Sequence, residues 1–305
     1  MAAYIARRLV IMVISLLGAS VVAFFMLYLT GDPTNLLLPD DVLPEEREAF
    51  RKQMGFDRPL IVQYGDFLLG LLRGDFGYSF RYQQPALEVV LERVPATAEM
   101  MIAAIILMLI IAVPIAVLSV MYNNKWVKSA YIAVTFLGQA IPGFVLAILL
   151  ILLFSVQLHW LPASGNDQGI KSLIMPSIVL ALFGAPQIIR LLRTSLASVM
   201  NLDFVRTAKA KGQTRAKIMF FHVFRNALIP FITIVGMQMG ILLGGSVITE
   251  TVFGWPGLGQ AMVQAIDNRD YPVVQAGILL SAFFIMAINL IVDVLYAVID
   301  PRIRY

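Results

Sequence analysis

Six basic side chains are concentrated in one stretch of thirty residues, 201–230, which we call the basic segment. They are Arg206, Lys209, Lys211, Arg215, Lys217 and Arg225, set against the single acid Asp203. Both flanks are strongly apolar, so the charges are predicted to lie between two membrane spans. Charge alone favours an ordinary positively charged loop on the inner side of a membrane. The length of the segment and its Ala/Gly spacing favour a docking site that a soluble protein binds in order to move the membrane domain.

The residues of the basic segment predict a helix, a glycine turn and a second helix. Asp203 suits an N-cap or a first helical turn, and Gly212 can adopt the left-handed conformation that ends a helix. Thr214 can cap the next helix, whose apolar residues are Ile218, Phe221, Val223 and Phe224. Small side chains at Ala208 and Ala210 leave the backbone close to whatever packs on it.

No pattern of residues indicates catalysis. Residues 212–217 superficially resemble a nucleotide-binding phosphate loop, but they lack its second glycine and its Lys-Ser/Thr pair. The chain has no cysteine, and its two histidines, His159 and His222, are far apart and are interpreted as loop or interface residues. The methionines are interpreted as adaptable packing. The chain is therefore predicted to be no enzyme and to bind neither a metal nor a cofactor.

The composition excludes a soluble globular domain. Of 305 residues, 59% are hydrophobic and 14% are charged, and the mean hydropathy is +0.83. The net charge of +4 could suggest a nucleic-acid partner. Because the charges cluster at the ends of apolar segments instead of on one face with aromatic residues, no nucleic-acid binding is predicted.

Six apolar segments are long enough to cross a membrane, namely residues 9–30, 97–121, 131–158, 172–192, 227–249 and 273–299. Pro114 is expected to break the second of them, and Arg190 lies near the inner end of the fourth. The first lacks the short apolar core and cleavage site of a signal peptide and is predicted to be retained. Residues 1–30, 31–96 and 97–305 are assigned to the N-terminal segment with the first span, an external loop region and a core membrane domain. Basic residues are concentrated in the segments that lie inside when the N-terminus is inside, which predicts that both termini are cytoplasmic.

Ionisable residues in or near the spans are Glu99, Arg190, Glu250 and Asp293. Burying such groups in a membrane is costly, so each is a functional candidate. Structural pairing is favoured over contact with a transported solute, because each lies near a span end. No series of acids or histidines crosses the middle of several helices, which argues against proton coupling.

The fifth span contains two overlapping GxxxG units, formed by Gly236, Gly240 and Gly244. Small residues four apart let helix backbones approach closely. The partner is either another helix of this chain or a second membrane subunit across a translocation path, with Gln238 and Ser246 offering polar atoms to that path. Beyond this span, Trp255 is expected to lie at the membrane interface.

Several separated motifs together resemble one family. Residues 206–212, RTAKAKG, resemble the EAA loop of bacterial ABC-importer permeases. With His222 and RNALIP at 225–230, they resemble the dipeptide/oligopeptide permeases in particular. The resemblance covers essentially the whole chain through GDP at 31–33, GDFGYS at 74–79, ETVFGWPGLG at 250–259, DYPVVQ at 270–275 and the PRIR ending.

The resemblance implies an all-α polytopic membrane protein with the six-helix type I ABC-importer permease fold, in a bacterial inner membrane. Implied partners are a second homologous permease, two ABC ATPases that carry ATP and Mg, an external substrate-binding protein and the lipid bilayer. The implied ATPase-coupling residues are Arg206, Thr207, Ala208, Lys209, Lys211, Gly212 and Arg215. The residues assigned to the permease interface or pathway are Gly236, Gln238, Gly240, Gly244, Ser246 and Glu250.

The chain departs from the generic EAA pattern at Arg206, which stands where a glutamate is expected. The peptide-type subgroup uses such an Arg-rich variant, but a salt bridge from the motif glutamate is unavailable here. The implied substrates are di- or oligopeptides, with glutathione, nickel chelates and opines as alternatives within the family. Alternatives from other classes are an ion-gradient-driven secondary transporter, for which no internal repeat is found, and a membrane scaffold, which leaves the basic segment unexplained.

Overall fold

The computed structural model describes residues 2–29, 42–53, 55–79, 81–122 and 124–299. Its helices up to the third apolar segment are α1 (Ala2–Leu29), α2 (Pro44–Gln53), α3 (Leu60–Leu72), α4 (Ala86–Leu91), α5 (Val94–Met121), α6 (Lys125–Thr135) and α7 (Gly143–Leu150). The remaining helices are α8 (Ile170–Met200), α9 (Asp203–Ala210), α10 (Arg215–Lys217), α11 (Phe224–Val252), α12 (Leu258–Asp267) and α13 (Tyr271–Ile299). Helices α6, α7 and α10 continue into π-helical turns, Phe136–Ala140, Ile151–Gln157 and Ile218–Val223. The motifs at 31–33 and 301–304 lie outside the described residues.

A short antiparallel ladder connects α3 to α4. It pairs β1 (Tyr78–Ser79) with β2 (Gln84–Pro85).

The predicted polytopic helical fold is confirmed. Five helical stretches of the described residues are long and apolar enough to cross a membrane: Ala6–Met26, Ala86–Met121, Ile170–Met200, Pro230–Val252 and Tyr271–Val294. The bent pair Lys125–Ala140 and Gly143–Gln157 supplies the sixth span when it is counted as one.

The third apolar segment, residues 131–158, is divided between two helices. Its two helices meet at a bend of 107°. Ile141, just before the second helix, is extended, with φ −102° and ψ 123°. The cause is Pro142, which disfavours helical geometry in the residue before it and has no N–H to donate. The prolyl residue instead occupies the position that precedes α7.

The expectation that Pro114 breaks the second span was wrong, because α5 runs through it without interruption. Helix α8 likewise contains Pro176 and Pro186. Prolines are tolerated in membrane helices where neighbouring groups satisfy the freed backbone carbonyls. Helix α8 contains the fourth predicted span and has the lowest hydropathy of the five long helices, yet 78% of its most apolar stretch is buried inside the chain. Its modest hydropathy therefore reflects a central helix that is largely shielded from lipid.

The chain divides into two compact units. The first consists chiefly of residues 96–256 and 287–299, and its core is arranged around α8, with Met108, Ile188, Leu192, Leu196 and Leu242 buried. The second consists of residues 2–95 and 257–286, and its core includes Val89, Val90, Leu258, Val273 and Val274.

We expect Gly138→Ala to destabilise the first unit, because a Cβ at this position would overlap the Leu182 carbonyl oxygen of α8. Backbone cannot move aside as a flexible side chain does, so the expected loss is about 1–3 kcal/mol. Unfolding of the purified chain by denaturing detergent measures it. The matched control is Gly245→Ala in α11, where no atom lies within 4 Å of the added Cβ. Equal stability of the two variants would contradict the packing described here.

Candidate functional site

The turn in the basic segment is a Schellman motif. Gly212 donates its N–H to the Lys209 carbonyl oxygen at 3.0 Å, and the Gln213 N–H reaches the Ala208 oxygen at 3.2 Å. This pattern of bonds closes a helix whose following glycine is left-handed, and Gly212 has φ +73°. Thr214 then caps the next helix by accepting from the Lys217 N–H at 3.3 Å. The predicted helix, glycine turn and second helix are therefore all present.

A side-chain hydrogen bond joins the turn to the second helix. The Gln213 amide oxygen lies 2.8 Å from the His222 ring nitrogen, and both side chains are half-buried. His222 thus fastens the turn to the following π-helical residues. Its role as an interface residue within the segment agrees with the interpretation drawn from the sequence.

One face of the basic segment is buried against the C-terminal half of α8. Val205, Ala208, Ile218, Met219 and Val223 are all buried, and they belong to the same apolar cluster as Leu192, Leu196 and Val199 of α8. Alanine at 208 lets α9 approach this cluster closely. The segment is therefore fixed to a long helix by packing.

The charged side chains occupy the opposite face. Of the seven residues predicted to couple to an ATPase, six are exposed: Arg206, Thr207, Lys209, Lys211, Gly212 and Arg215. Ala208, only 6% exposed, points into the core. Arg206 approaches Asp203 at 3.5 Å, but both side chains are largely in solvent, so this pair contributes little. The cationic face is available to an external partner.

Aromatic side chains of the basic segment are exposed as well. Phe221, one of the apolar residues of the second helix, is 71% exposed. Phe220 and Phe204 are also exposed. The π-helical turn Ile218–Val223 is the reason, because it changes the angular spacing that a regular 3.6-residue period assumes. Exposed aromatics among cations are a composition enriched at protein interfaces.

The two GxxxG units of α11 have different surroundings. A Cβ at Gly236 would overlap Val292 of α13, so this glycine allows close packing within the chain. At Gly244 no atom lies within 4 Å of such a Cβ, and the residue is exposed. Gly240, between them, is half-buried. The motif of Gly236 and Gly240 thus packs inside the chain, whereas the motif of Gly240 and Gly244 presents bare backbone outward.

The polar pathway candidates of α11 are turned inward. Gln238 is buried and donates from its amide nitrogen to the Gly184 carbonyl oxygen of α8 at 3.0 Å. Ser246 is buried and donates to the Leu243 carbonyl oxygen of its own helix at 2.9 Å. Gln238 therefore joins α11 to α8, whereas the Ser246 bond stays within α11.

Glu250, near the C-terminal end of α11, is fully buried. Its carboxyl group accepts a hydrogen bond from the Thr97 hydroxyl of α5 at 2.8 Å. Nearby in sequence, Trp255 is only 1% exposed, and its indole N–H donates to the Ala96 carbonyl oxygen at 2.8 Å. The expectation that Trp255 lies at the membrane interface was therefore wrong. Its polar atom is satisfied inside the chain, so the large ring can be buried.

Two further motifs meet within the second unit. The Ser79 hydroxyl, in GDFGYS, donates to the Asp270 carboxylate of DYPVVQ, and both side chains are buried. A Cβ at Gly77 would lie 3.2 Å from Pro272, and Gly77 has φ +88°. These two motifs, far apart in sequence, therefore contact each other within the second unit.

Comparison with known families decides what kind of protein this fold belongs to. Residues 109–305 match the binding-protein-dependent transport system inner membrane component family, and residues 1–101 match the N-terminal membrane component that accompanies it. The chain belongs to this family. It is a permease subunit of a binding-protein-dependent ABC importer, which confirms the resemblance drawn from the motifs.

Relatives of this permease match along its whole length. The dipeptide transport system permease protein of Alkalihalophilus pseudofirmus is 36% identical, with 100% of both chains covered. The glutathione transport system permease protein of Salmonella typhimurium is 38% identical, with 99% of each chain covered.

Solved structures agree in fold. Inward-facing MetNI methionine ABC transporter superposes with a TM-score of 0.58 at 19% identity, covering 70% of this permease and 96% of that chain. An amino acid ABC transporter gives a TM-score of 0.51 at 18% identity, covering 71% and 94%. Among the described residues of the permease, no three His, Cys, Asp or Glu side chains come together to hold a metal ion.

We expect Gly212→Val to loosen the basic segment, because a β-branched side chain is strained at φ +73°. The cost is at least about 1–2 kcal/mol. It should appear as faster amide hydrogen exchange in α9 and at Gln213. Lys211→Ala, next to it and without this backbone constraint, is the control. Unchanged exchange in the valine variant would show that the Schellman turn does not hold the segment.

We also expect Thr97 and Glu250 to be energetically coupled. In a double-mutant cycle with Thr97→Val and Glu250→Leu, the interaction free energy should be about 0.5–3 kcal/mol, because the two groups share a buried hydrogen bond that either substitution removes. Detergent-induced unfolding of the four proteins measures it. Additive effects of the two substitutions would contradict a direct bond.

Proposed function

We propose that this permease forms, with a second homologous permease, a path for di- or oligopeptides delivered by an external binding protein. Two ABC ATPases, which carry ATP and Mg, would drive the cycle from the cytoplasmic side. The observation that supports this most is the exposed cationic and aromatic face of the basic segment, which is rigidly backed by the core around α8.

Coupling follows from this arrangement. The proposed ATPase contacts are Arg206, Thr207, Lys209, Lys211, Gly212 and Arg215, with Ala208 seating α9 on the core. When nucleotide closes the ATPase dimer, the displaced segment moves α8 with it, because their buried faces form one apolar cluster. A nucleotide can shift the permease toward its outward-facing state only if the closed ATPases bind that state better.

The second permease is proposed to contact the outer side of α11 at Gly240 and Gly244. Bare backbone at Gly244 lets a neighbouring helix approach closely, which is how small residues promote association in lipid. Gly236, Gln238, Ser246 and Glu250 then support the pathway indirectly, because their side chains or backbone pack inside this chain.

The proposed cargo is a small peptide. Two relatives at 36% and 38% identity are a dipeptide permease and a glutathione permease, and both of these substrates contain amide-linked amino acids. Glutathione is accordingly the second candidate.

The proposed topology places both termini in the cytoplasm. Residues 1–30 hold the first span, residues 31–96 the external loop region and residues 97–305 the core membrane domain. The charge distribution between spans supports it.

We expect Arg206→Glu with Lys209→Glu to abolish transport-coupled ATP hydrolysis in the reconstituted importer, because both exposed cations change sign on the proposed contact face. Pull-down of the ATPases by the permease pair should fall at least tenfold. Lys128→Glu, an exposed cation of α6 outside the basic segment, is the control and should retain assembly. If the double variant assembles and transports normally, the basic segment is not the ATPase contact.

Uptake assays then identify the cargo and the energy source. Di- and tripeptides should compete for uptake at lower concentrations than glutathione, and a nickel chelate or an opine should not compete. Transport by the permease alone under a proton or sodium gradient would replace the ATPase-driven proposal with a secondary transporter.

A further inference from the structure

A polar surface cavity of the first unit adjoins the cationic face of the basic segment and shares Arg215 with it. It has a volume of about 590 Å³ and is lined by Met121, Tyr122, Asn124, Lys125 and Arg215. Three elements contribute to it: the end of α5, the start of α6 and the short helix α10 of the basic segment. The fold thus brings the end of a membrane span next to the basic segment.

Two cations share this cavity. Lys125 and Arg215 both line it, no acidic side chain does, and no ion pair involves either residue in the part of the chain that the structure describes. Like charges held in one cavity repel each other. An anion between them would remove this repulsion and gain attraction from both, so the charge distribution favours an anionic ligand.

The surroundings of the cavity indicate where that anion comes from. Trp126 is 73% exposed, Tyr122 is exposed, and the Lys125 ammonium lies 5.8 Å from the centre of the Trp126 ring. Exposed amphipathic aromatic rings at the end of a membrane helix are typical of the headgroup region. Along α6 and its π-helical turn the exposed side chains become apolar, at Ile132 and Phe136. The headgroup of a lipid would therefore lie at the cationic cavity, and its acyl chains would lie along the apolar side chains further along α6.

We infer that this cavity binds the phosphate headgroup of an anionic phospholipid, such as phosphatidylglycerol. Lys125 and Arg215 face the phosphate, the Asn124 amide nitrogen is an additional donor, and the acyl chains lie beside Trp126. Arg215, alone among the proposed ATPase contacts, is thereby assigned to the lipid. Basic pockets at the cytoplasmic ends of membrane helices bind anionic lipids in this way. The inference rests on the proposed topology, which places the start of α6 on the cytoplasmic side, and does not depend on the transported solute.

Such a lipid would fasten the basic segment to the membrane surface. Arg215 belongs to the segment, whereas Lys125 begins the helix that enters the bilayer. A single headgroup would bridge the two and would be sensitive to any movement of the segment relative to α6.

The test uses the assembled importer in a neutral detergent, titrated with dansyl-labelled phosphatidylglycerol. Energy transfer from tryptophan to the dansyl group reports binding, and Trp126→Phe should remove most of the transfer. Lys125→Gln and Arg215→Gln should each weaken binding about fivefold, and together about thirtyfold, given the typical contribution of one cation at a membrane surface. Lys125→Arg should restore binding, and Lys128→Gln, on the same helix but outside the cavity, should leave it unchanged.

Two competitors distinguish the possible ligands. Unlabelled phosphatidylglycerol should displace the probe, whereas millimolar inorganic phosphate and phosphatidylcholine should not. Displacement by inorganic phosphate would show a site for free anions and would overturn the lipid assignment. Equal binding of the probe to the wild type and the double variant would overturn the site. If the wild type does not bind the probe, and Lys125→Gln and Arg215→Gln prevent ATPase assembly, the lipid assignment is overturned and the cavity is assigned to contact with acidic residues of the ATPase.

Discussion

The packing of the basic segment on α8 is the interaction on which the arrangement of charges depends. Each fully buried apolar side chain, such as Val205, Ile218 or Met219, contributes about 1.5–3 kcal/mol. The exposed cations of the segment repel each other, but like-charge pairs on a helix surface cost only a few tenths of a kcal/mol each. Burial therefore exceeds repulsion, and a dense positive surface can be held rigidly at the end of a membrane helix.

Rigidity continues into the membrane through three polar contacts of the first unit. Gln238 joins α11 to α8, Thr97 and Glu250 join α5 to α11, and Trp255 is bonded to the backbone at Ala96. Each of these three contacts joins separate parts of the unit, which makes separation of its helices costly. Helices tied in this way are expected to move together, so a displacement at the basic segment would reach the C-terminal end of α11.

Much of this could be predicted from residue types. Apolar length and charge asymmetry identified the spans, and Asp203, Gly212 and Thr214 identified the turn of the basic segment because local chemistry decides such turns. Other features depend on packing partners that a single sequence does not display. Trp255 was misplaced because its hydrogen-bond acceptor lies 159 residues away. The exposure of Phe221 was not predicted, because a π-helical turn changes which side chains share a face. Pro114 and Pro142 are the same residue type, yet only Pro142 interrupts a helix, and only tertiary context distinguishes them.

The interrupted third segment has a consequence for how the protein is made. Beside the break, Gln139 is exposed, and the Thr135 hydroxyl is buried without a hydrogen-bond partner among the residues that the structure describes. Hydrocarbon cannot solvate an amide or an irregular backbone, so this face is tolerated only against protein or water. A newly inserted copy would consequently expose this polar surface to lipid until other subunits cover it. Membrane proteases could then recognise unassembled molecules by the exposed surface, which would link subunit stoichiometry to protein turnover.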